Sequence, residues 1–163
     1  MSLAILITGV VLDSILMILT RQFSPSDMPF VIRLVEETLG EKYPPSLYLT
    51  IHSLWSEGFL VLVEDGTMVG FVAAVPSGSK VARILMLTVL KEHRNKSYGK
   101  LLMDNIYRNS MANGMDTVIL EVRKSNGDAI RFYERQGFSI CGEIKRFYSN
   151  GEDAFKMMKV LRS

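Results

Sequence analysis

One cysteine, one tryptophan and two histidines in 163 residues remove several large classes of chemistry at once. A lone Cys141 excludes an internal disulfide framework, fits a reducing compartment, and reads as a small core residue. His52 and His93 have no His or Cys company at metal-ligand spacing, so both read as incidental and no metal site is expected. Charge of either sign is also scarce in excess: 19 Lys and Arg against 17 Asp and Glu give a net charge of +2. No long charge run occurs, so neither nucleic acid nor an anionic membrane surface is implied as partner. Internal repeats and low-complexity segments are lacking too, which excludes solenoids and arrays.

An uninterrupted apolar run is the next absence. Leu3 to Leu19 is strongly apolar but broken by Thr8, Gly9, Asp13 and Ser14. A membrane-spanning helix needs roughly 20 apolar residues, and an Asp near its middle costs about 2.5–3.5 kcal/mol. The basic n-region and small-residue cleavage site of a signal peptide are not evident either. Three plain readings stand: Met17 is the natural start, the stretch is an extra helix packed on the domain or on a second copy, or Met1-Ser2-Leu3 is an expression remnant. The expected organisation is an atypical apolar extension over 1–16 and one domain over 17–163, long enough for a substantial core. A soluble, cytoplasmic chain is expected, as monomer or homodimer, with no membrane partner.

What is present is organised around Arg83 to Phe138. The apolar run Ile84–Leu90 predicts a buried strand. After KEHRNKS, residues from Tyr98 repeat apolar positions at helical spacing (Leu102, Ile106; Met103, Tyr107, Met111) until Asn113-Gly114. A second strand spans Thr117–Val122, and Ser125-Asn126 caps a short helix ending at Gly137. A strand–loop–helix unit of this kind offers free N–H groups and a positive dipole end to an anion. Arg94, Lys96 and Lys100 add charge around that turn, although a solvated basic loop is the more ordinary reading of these residues alone.

Upstream, Ile18–Phe23 predicts a strand, and Ser24 to Asp27 a turn capping a helix that begins at Met28-Pro29 and closes at Gly40. Leu60–Glu64 and Met68–Val75 flank Asp65-Gly66, a hairpin signal, because both central residues of a type I′ turn need positive φ. Downstream, Phe138–Tyr148 and Ala154–Val160 predict two strands. The fold class is α+β: a mixed, mainly antiparallel sheet with helices on both faces.

HRNKSYGKLL resembles the acetyl-CoA signature of the GNAT acetyltransferases, Arg/Gln-x-x-Gly-x-Gly/Ala, with Ser97 in place of the first glycine. LEVRKSNGDAIRFYERQGF is similar to the second half of that core in N-terminal (α-amine) acetyltransferases of the RimI type. The resemblance covers Ile18 to the C-terminus. It implies acetyl-CoA as cofactor, held by Leu87, Thr88 and Val89 on a bulged strand, by Arg94, Asn95, Lys96, Ser97, Tyr98, Gly99 and Lys100 around the turn, and by Asn126. A positive φ at Ser97 would cost about 1 kcal/mol relative to glycine. Transfer in this family is direct, so no covalent role falls to Cys141.

The same resemblance implies a reaction and its residues. Glu121 matches the general base and Tyr133 the general acid, whose phenol protonates a departing thiolate. By pattern alone the better reading of Glu121 is an exposed edge acid or a salt bridge to Arg123, and that of Tyr133 a core aromatic beside Phe132, Phe138 and Ile130; the resemblance reverses both. LGEKYP resembles the Leu-Pro-Glu-Asn-Tyr-Pro element of N-terminal acetyltransferase A catalytic subunits, which carries Glu41 and Tyr43 over as peptide-site residues. Tyr148 matches a further peptide-site tyrosine. The expected substrate is therefore the N-terminal α-amine of a protein or peptide. A small amine, polyamine or lysine on the same scaffold is the alternative, and a non-catalytic acyl-CoA-binding module is a third reading.

Overall fold

The computed structural model describes residues 16–162. The predicted extension over 1–16 lies almost wholly outside them. The elements in chain order are β1 (Ile18–Gln22), α1 (Met28–Leu39), α2 (Pro45–Leu54), β2 (Phe59–Glu64), β3 (Thr67–Pro76), β4 (Val81–Val89), α3 (Tyr98–Ala112), β5 (Thr117–Arg123), α4 (Gly127–Arg135), β6 (Ser139–Ile144) and β7 (Ala154–Val160). The seven strands form one sheet in the order β1-β2-β3-β4-β5-β7-β6. Only the β4–β5 pair is parallel, as the connection through α3 requires.

Period-two alternation along the central strands divides the core in two. Phe59, Val61, Phe71, Ala73 and Met86 face α1 and α2, where Val31, Leu34, Val35, Tyr48 and Ile51 cover them. Leu60, Leu62, Val72, Ala74, Ile84 and Leu120 face α3 and α4 and pack against Leu102, Met103 and Ile106. Local signals held where they were strongest. Asp65 (φ 49°) and Gly66 (φ 81°) form the β2–β3 turn, and Gly40 (φ 66°) closes α1.

Two expectations are corrected, and one helix is added. Helix α2 has no counterpart among the predicted elements; Pro45 occupies its first turn, where a missing N–H is harmless. Strand β6 stops at Ile144 instead of reaching Tyr148, because Arg146 turns to φ 51° and donates its N–H to the Asp153 carboxylate at 3.0 Å. Cys141 is exposed on that strand at the sheet's edge, not buried in a core.

The sheet opens at its one parallel junction. Val81–Ile84 pair with Thr117–Leu120, and the ladder stops there. Strand β4 carries its bulge at the same level: Ala73 opposes Met86 while Ala74 opposes Ile84, leaving Leu85 extra. A bulge bends its strand and disrupts the local ladder. Beyond it, Leu85–Val89 and Glu121–Arg123 run on without pairing to each other.

Candidate active site

Glu121 is the first residue of β5 past the last parallel pair. Its side chain lies on the α1/α2 side of the sheet, opposite Leu120 and Val122. The carboxylate is only 11% exposed and is gripped by Arg83: Nε to Oε2 at 3.1 Å and a terminal nitrogen to Oε1 at 3.1 Å. The ion pair anticipated with Arg123 does not form; the partner is on β4.

Strand β4 supplies backbone donors. The Leu90 N–H donates to the Val69 carbonyl at 2.8 Å, so alternation sends the Thr88 N–H toward β3 and the Leu87 and Val89 N–H groups toward the gap. Of the three predicted residues, Leu87 and Val89 therefore offer donors there. Thr88 does not; its buried hydroxyl bonds the Thr38 hydroxyl of α1. The bulge expected at Leu87–Val89 sits at Leu85.

The turn into α3 is shaped for an anion. Asn95 (φ 68°) and Ser97 (φ 61°) both adopt left-handed backbone, so Ser97 bears the strain anticipated for it. Gly99 follows inside α3, where a Cβ would lie 3.2 Å from the Phe132 ring of α4; glycine lets the two helices meet. The side-chain charges are less free than the sequence suggests. Lys100 pairs with Asp104 at 2.6 Å, and Lys96 turns inward to Glu64 at 3.1 Å. Arg94 donates its Nε to the Val89 carbonyl at 3.1 Å and pairs with no acid among the described residues. Tyr98 is buried, its hydroxyl donating to Glu64 at 2.9 Å. On the far side of the gap, the Asn126 side chain caps α4 by accepting from the Ala129 N–H at 3.1 Å.

Tyr133 is half-buried on α4, edge-on to Phe132 and Phe138 with centroids 5.2 and 5.5 Å away. Burial pushes its phenol well above the ordinary value, with a smaller contribution from Tyr148. It therefore carries its proton throughout the neutral range.

The third wall is built around Arg123, which the sequence reading mentions only as a mate for Glu121. Its guanidinium lies 4.0 Å from the Tyr148 ring centroid and contacts Glu152 at 2.5 Å, Asn150 at 3.2 Å and Glu41 at 3.8 Å. Glu152 also accepts from Ser125 at 2.7 Å. One arginine thus holds the Glu41–Tyr43 loop and the Tyr148 turn against the end of β5. Burial raises the Tyr148 phenol, Arg123 opposing and Glu121, Glu152 and Tyr43 adding to the rise. Burial also raises Tyr43, beside Glu41. The predicted residues Glu41, Tyr43, Glu121 and Tyr148 are brought to one place. What the sequence did not reveal were the long-range partners: Arg83 meets Glu121 across 38 residues, and Glu152 meets Arg123 across 29.

The GNAT acetyltransferase family model matches residues 27–138, spanning α1 through α4 and the whole opened junction. The chain belongs to the GNAT family. It is 35% identical over 142 residues to an uncharacterized N-acetyltransferase of Methanocaldococcus jannaschii, covering 85% of this chain and 89% of the relative. An N-alpha-acetyltransferase of Saccharolobus solfataricus is 28% identical over 154 residues, covering 86% and 92%. Among solved structures, Ard1 from Thermoplasma volcanium superposes with a TM-score of 0.86 at 34% identity, covering 90% of this chain and 99% of that one. This GNAT protein is an acetyl-CoA-dependent N-acetyltransferase. Its outward-turned N–H groups on β4 and its left-handed turn before α3 fit that coenzyme. Among the described residues, no helix is long and apolar enough to cross a membrane.

Proposed function

We propose that this enzyme acetylates the free α-amine at the N-terminus of a protein or peptide, in the cytoplasm. The observation that carries this reading is Arg123, which joins Glu41 and the Tyr148 ring into one wall at the mouth of the gap holding Glu121. A tyrosine-bearing loop and a tyrosine-bearing turn tied together by Arg123 beside Glu121 suit an extended chain end. The N-alpha-acetyltransferase relative supports the same reading.

Acetyl-CoA supplies the acetyl group as an activated thioester. The Leu87 and Val89 N–H groups would receive its carbonyl oxygen, and the N–H groups of the α3 turn, with Arg94 and Asn126, would hold the phosphates and the pantetheine arm. Glu121, oriented by Arg83, takes the proton from the incoming ammonium directly or through one water. An α-amine, with a pKa of about 7.7–8.0, gives up that proton far more easily than a lysine at about 10.4. Tyr133 holds a proton at its Oη for the departing thiolate.

The test is thiol release from acetyl-CoA with short peptides bearing Ser, Ala, Met or Glu at a free N-terminus. N-terminally blocked lysine peptides and spermidine serve as controls. Turnover confined to free N-termini is the expected result. Turnover on spermidine or blocked lysine peptides instead would replace the peptide reading with a small-amine or lysine one. Coenzyme binding without any turnover would make the chain a binding module.

A further inference from the structure

Glu64 at the end of β2 is 7% exposed, and nothing in the reaction above uses it. Three side chains of the segment 93–98 converge on it. The Tyr98 hydroxyl donates to Oε1 at 2.9 Å, the Lys96 ammonium reaches the same oxygen at 3.1 Å, and His93 Nδ1 closes on Oε2. Lys96 also sits 5.8 Å over the Tyr98 ring. Between these contacts lie Asn95 and Ser97, both left-handed.

A buried carboxylate is costly unless its lone pairs are filled; here both hydrogen-bond donors to Oε1, Tyr98 and Lys96, come from the segment leading into α3, and Oε2 meets only His93. The turn in turn contains two non-glycine residues in a backbone region that L-residues avoid. Each side explains the other: Glu64 Oε1 keeps its two hydrogen bonds only if the turn keeps this shape, and the strained shape persists because three side chains are tied to one carboxylate.

We infer that Glu64 is a positioning residue for the coenzyme, holding the turn before α3 so that its N–H groups point together at the phosphates. It takes over the task that glycine performs where this chain has Ser97. The inference rests on the assignment of the coenzyme turn proposed above, but not on the identity of the amine substrate.

The experiment is calorimetric titration of the full chain with CoA, together with KM for acetyl-CoA and kcat on the best acceptor. Glu64→Gln should weaken CoA binding and raise KM for acetyl-CoA by about tenfold, the scale of a lost charge-assisted hydrogen bond, with kcat at saturation within about twofold. Tyr98→Phe, which removes one hydroxyl and preserves the ring, should weaken binding by about threefold. Ser97→Gly placed in the Glu64→Gln protein should restore part of the loss, because it relieves the strain the carboxylate was opposing. Arg94→Gln serves as the reference for the turn itself. Unchanged CoA affinity in folded Glu64→Gln and Tyr98→Phe, with a loss in Arg94→Gln, would overturn the role of Glu64 and leave the turn assignment standing. Unchanged affinity in all three would overturn both. Should Glu64→Gln fail to fold, Tyr98→Phe and Lys96→Gln carry the same test.

Discussion

Arg83 and Glu121 face each other across the point where the sheet comes apart, joined by two contacts of 3.1 Å each. Arg83 lies on the last paired stretch of β4, and Glu121 is the first residue of β5 beyond the ladder. The pair sits on the α1/α2 side, while Tyr133 approaches from the α4 side. The proposed base and the proposed acid thus lie on opposite faces of one sheet.

Glu121→Gln should lower kcat by about 10²-fold, at the low end for a general base, and leave CoA affinity unchanged. Arg83→Gln should lower kcat less, because the carboxylate loses its orientation and keeps its chemistry. Steady-state rates at saturating coenzyme and direct CoA titration separate the two effects.

Tyr133→Phe should reduce kcat by about 10²-fold without lowering the melting temperature appreciably, since the ring contacts with Phe132 and Phe138 remain. The phenol is pushed upward by burial, so its protonated form persists and no loss of rate below about pH 10 should trace to it. An alkaline limb that shifts in Tyr133→Phe would contradict that assignment.

Arg123→Ala should raise KM for the amine substrate by about tenfold and spare KM for acetyl-CoA. The variant removes a cation–π contact worth about 0.5–2 kcal/mol together with the bridge between Glu41 and Glu152. Arg123→Lys should rescue little, because an ammonium cannot stack and bridge at once. A rise confined to the coenzyme KM would contradict the wall assigned to this residue.

Asp27 offers a test of stability against pH. Arg21 donates to it twice at 2.8 Å, and the Ser24 N–H donates once more at 2.8 Å. Hydrogen bonding from Arg21, outweighing burial, holds the carboxyl below its ordinary value. A depressed folded value means the stabilisation is complete above about pH 4 and is lost as pH falls through the lower folded value. With the Arg21 side chain 40% exposed, the pair merits only about 1 kcal/mol. Asp27→Asn should therefore lower Tm at pH 7 by about 2–4 °C. The difference should close in strongly acidic buffer, and a gap that persists there would contradict the linkage.

Tyr98 works in the other direction. Burial and the hydrogen bond to Glu64 push its phenol up to about 12. A raised folded value gives stabilisation that is complete below about pH 10 and lost as pH rises through the folded value. Ultraviolet titration of Tyr98→Phe against the native protein should show one fewer late-ionising tyrosine.

The Asp65-Gly66 hairpin, the closure of α1 at Gly40, the start of α3 at Tyr98 and the Asn126 cap were all legible in the chain, because each is decided by a few neighbouring residues. The likeness of HRNKSYGKLL and LEVRKSNGDAIRFYERQGF to a known core extended that local reading to the family, and to the roles proposed for Glu121 and Tyr133. Helix α2 was hidden because its prolines mark a helix start as readily as a loop. The end of β6 was hidden because a side chain on the approach to β7, Asp153, turns the backbone at Arg146. Which acid meets which base was decided by folding alone. Arg83 reaches Glu121 across 38 residues, Lys96 reaches Glu64 across 32, and Arg123 reaches Glu152 across 29. Sequence by itself set the elements and the chemical groups, since propensity, capping and turn preference act over a few residues. Only the packed sheet decided the pairing, since a bulge at Leu85 and the break after Ile84 brought distant charges to one opening.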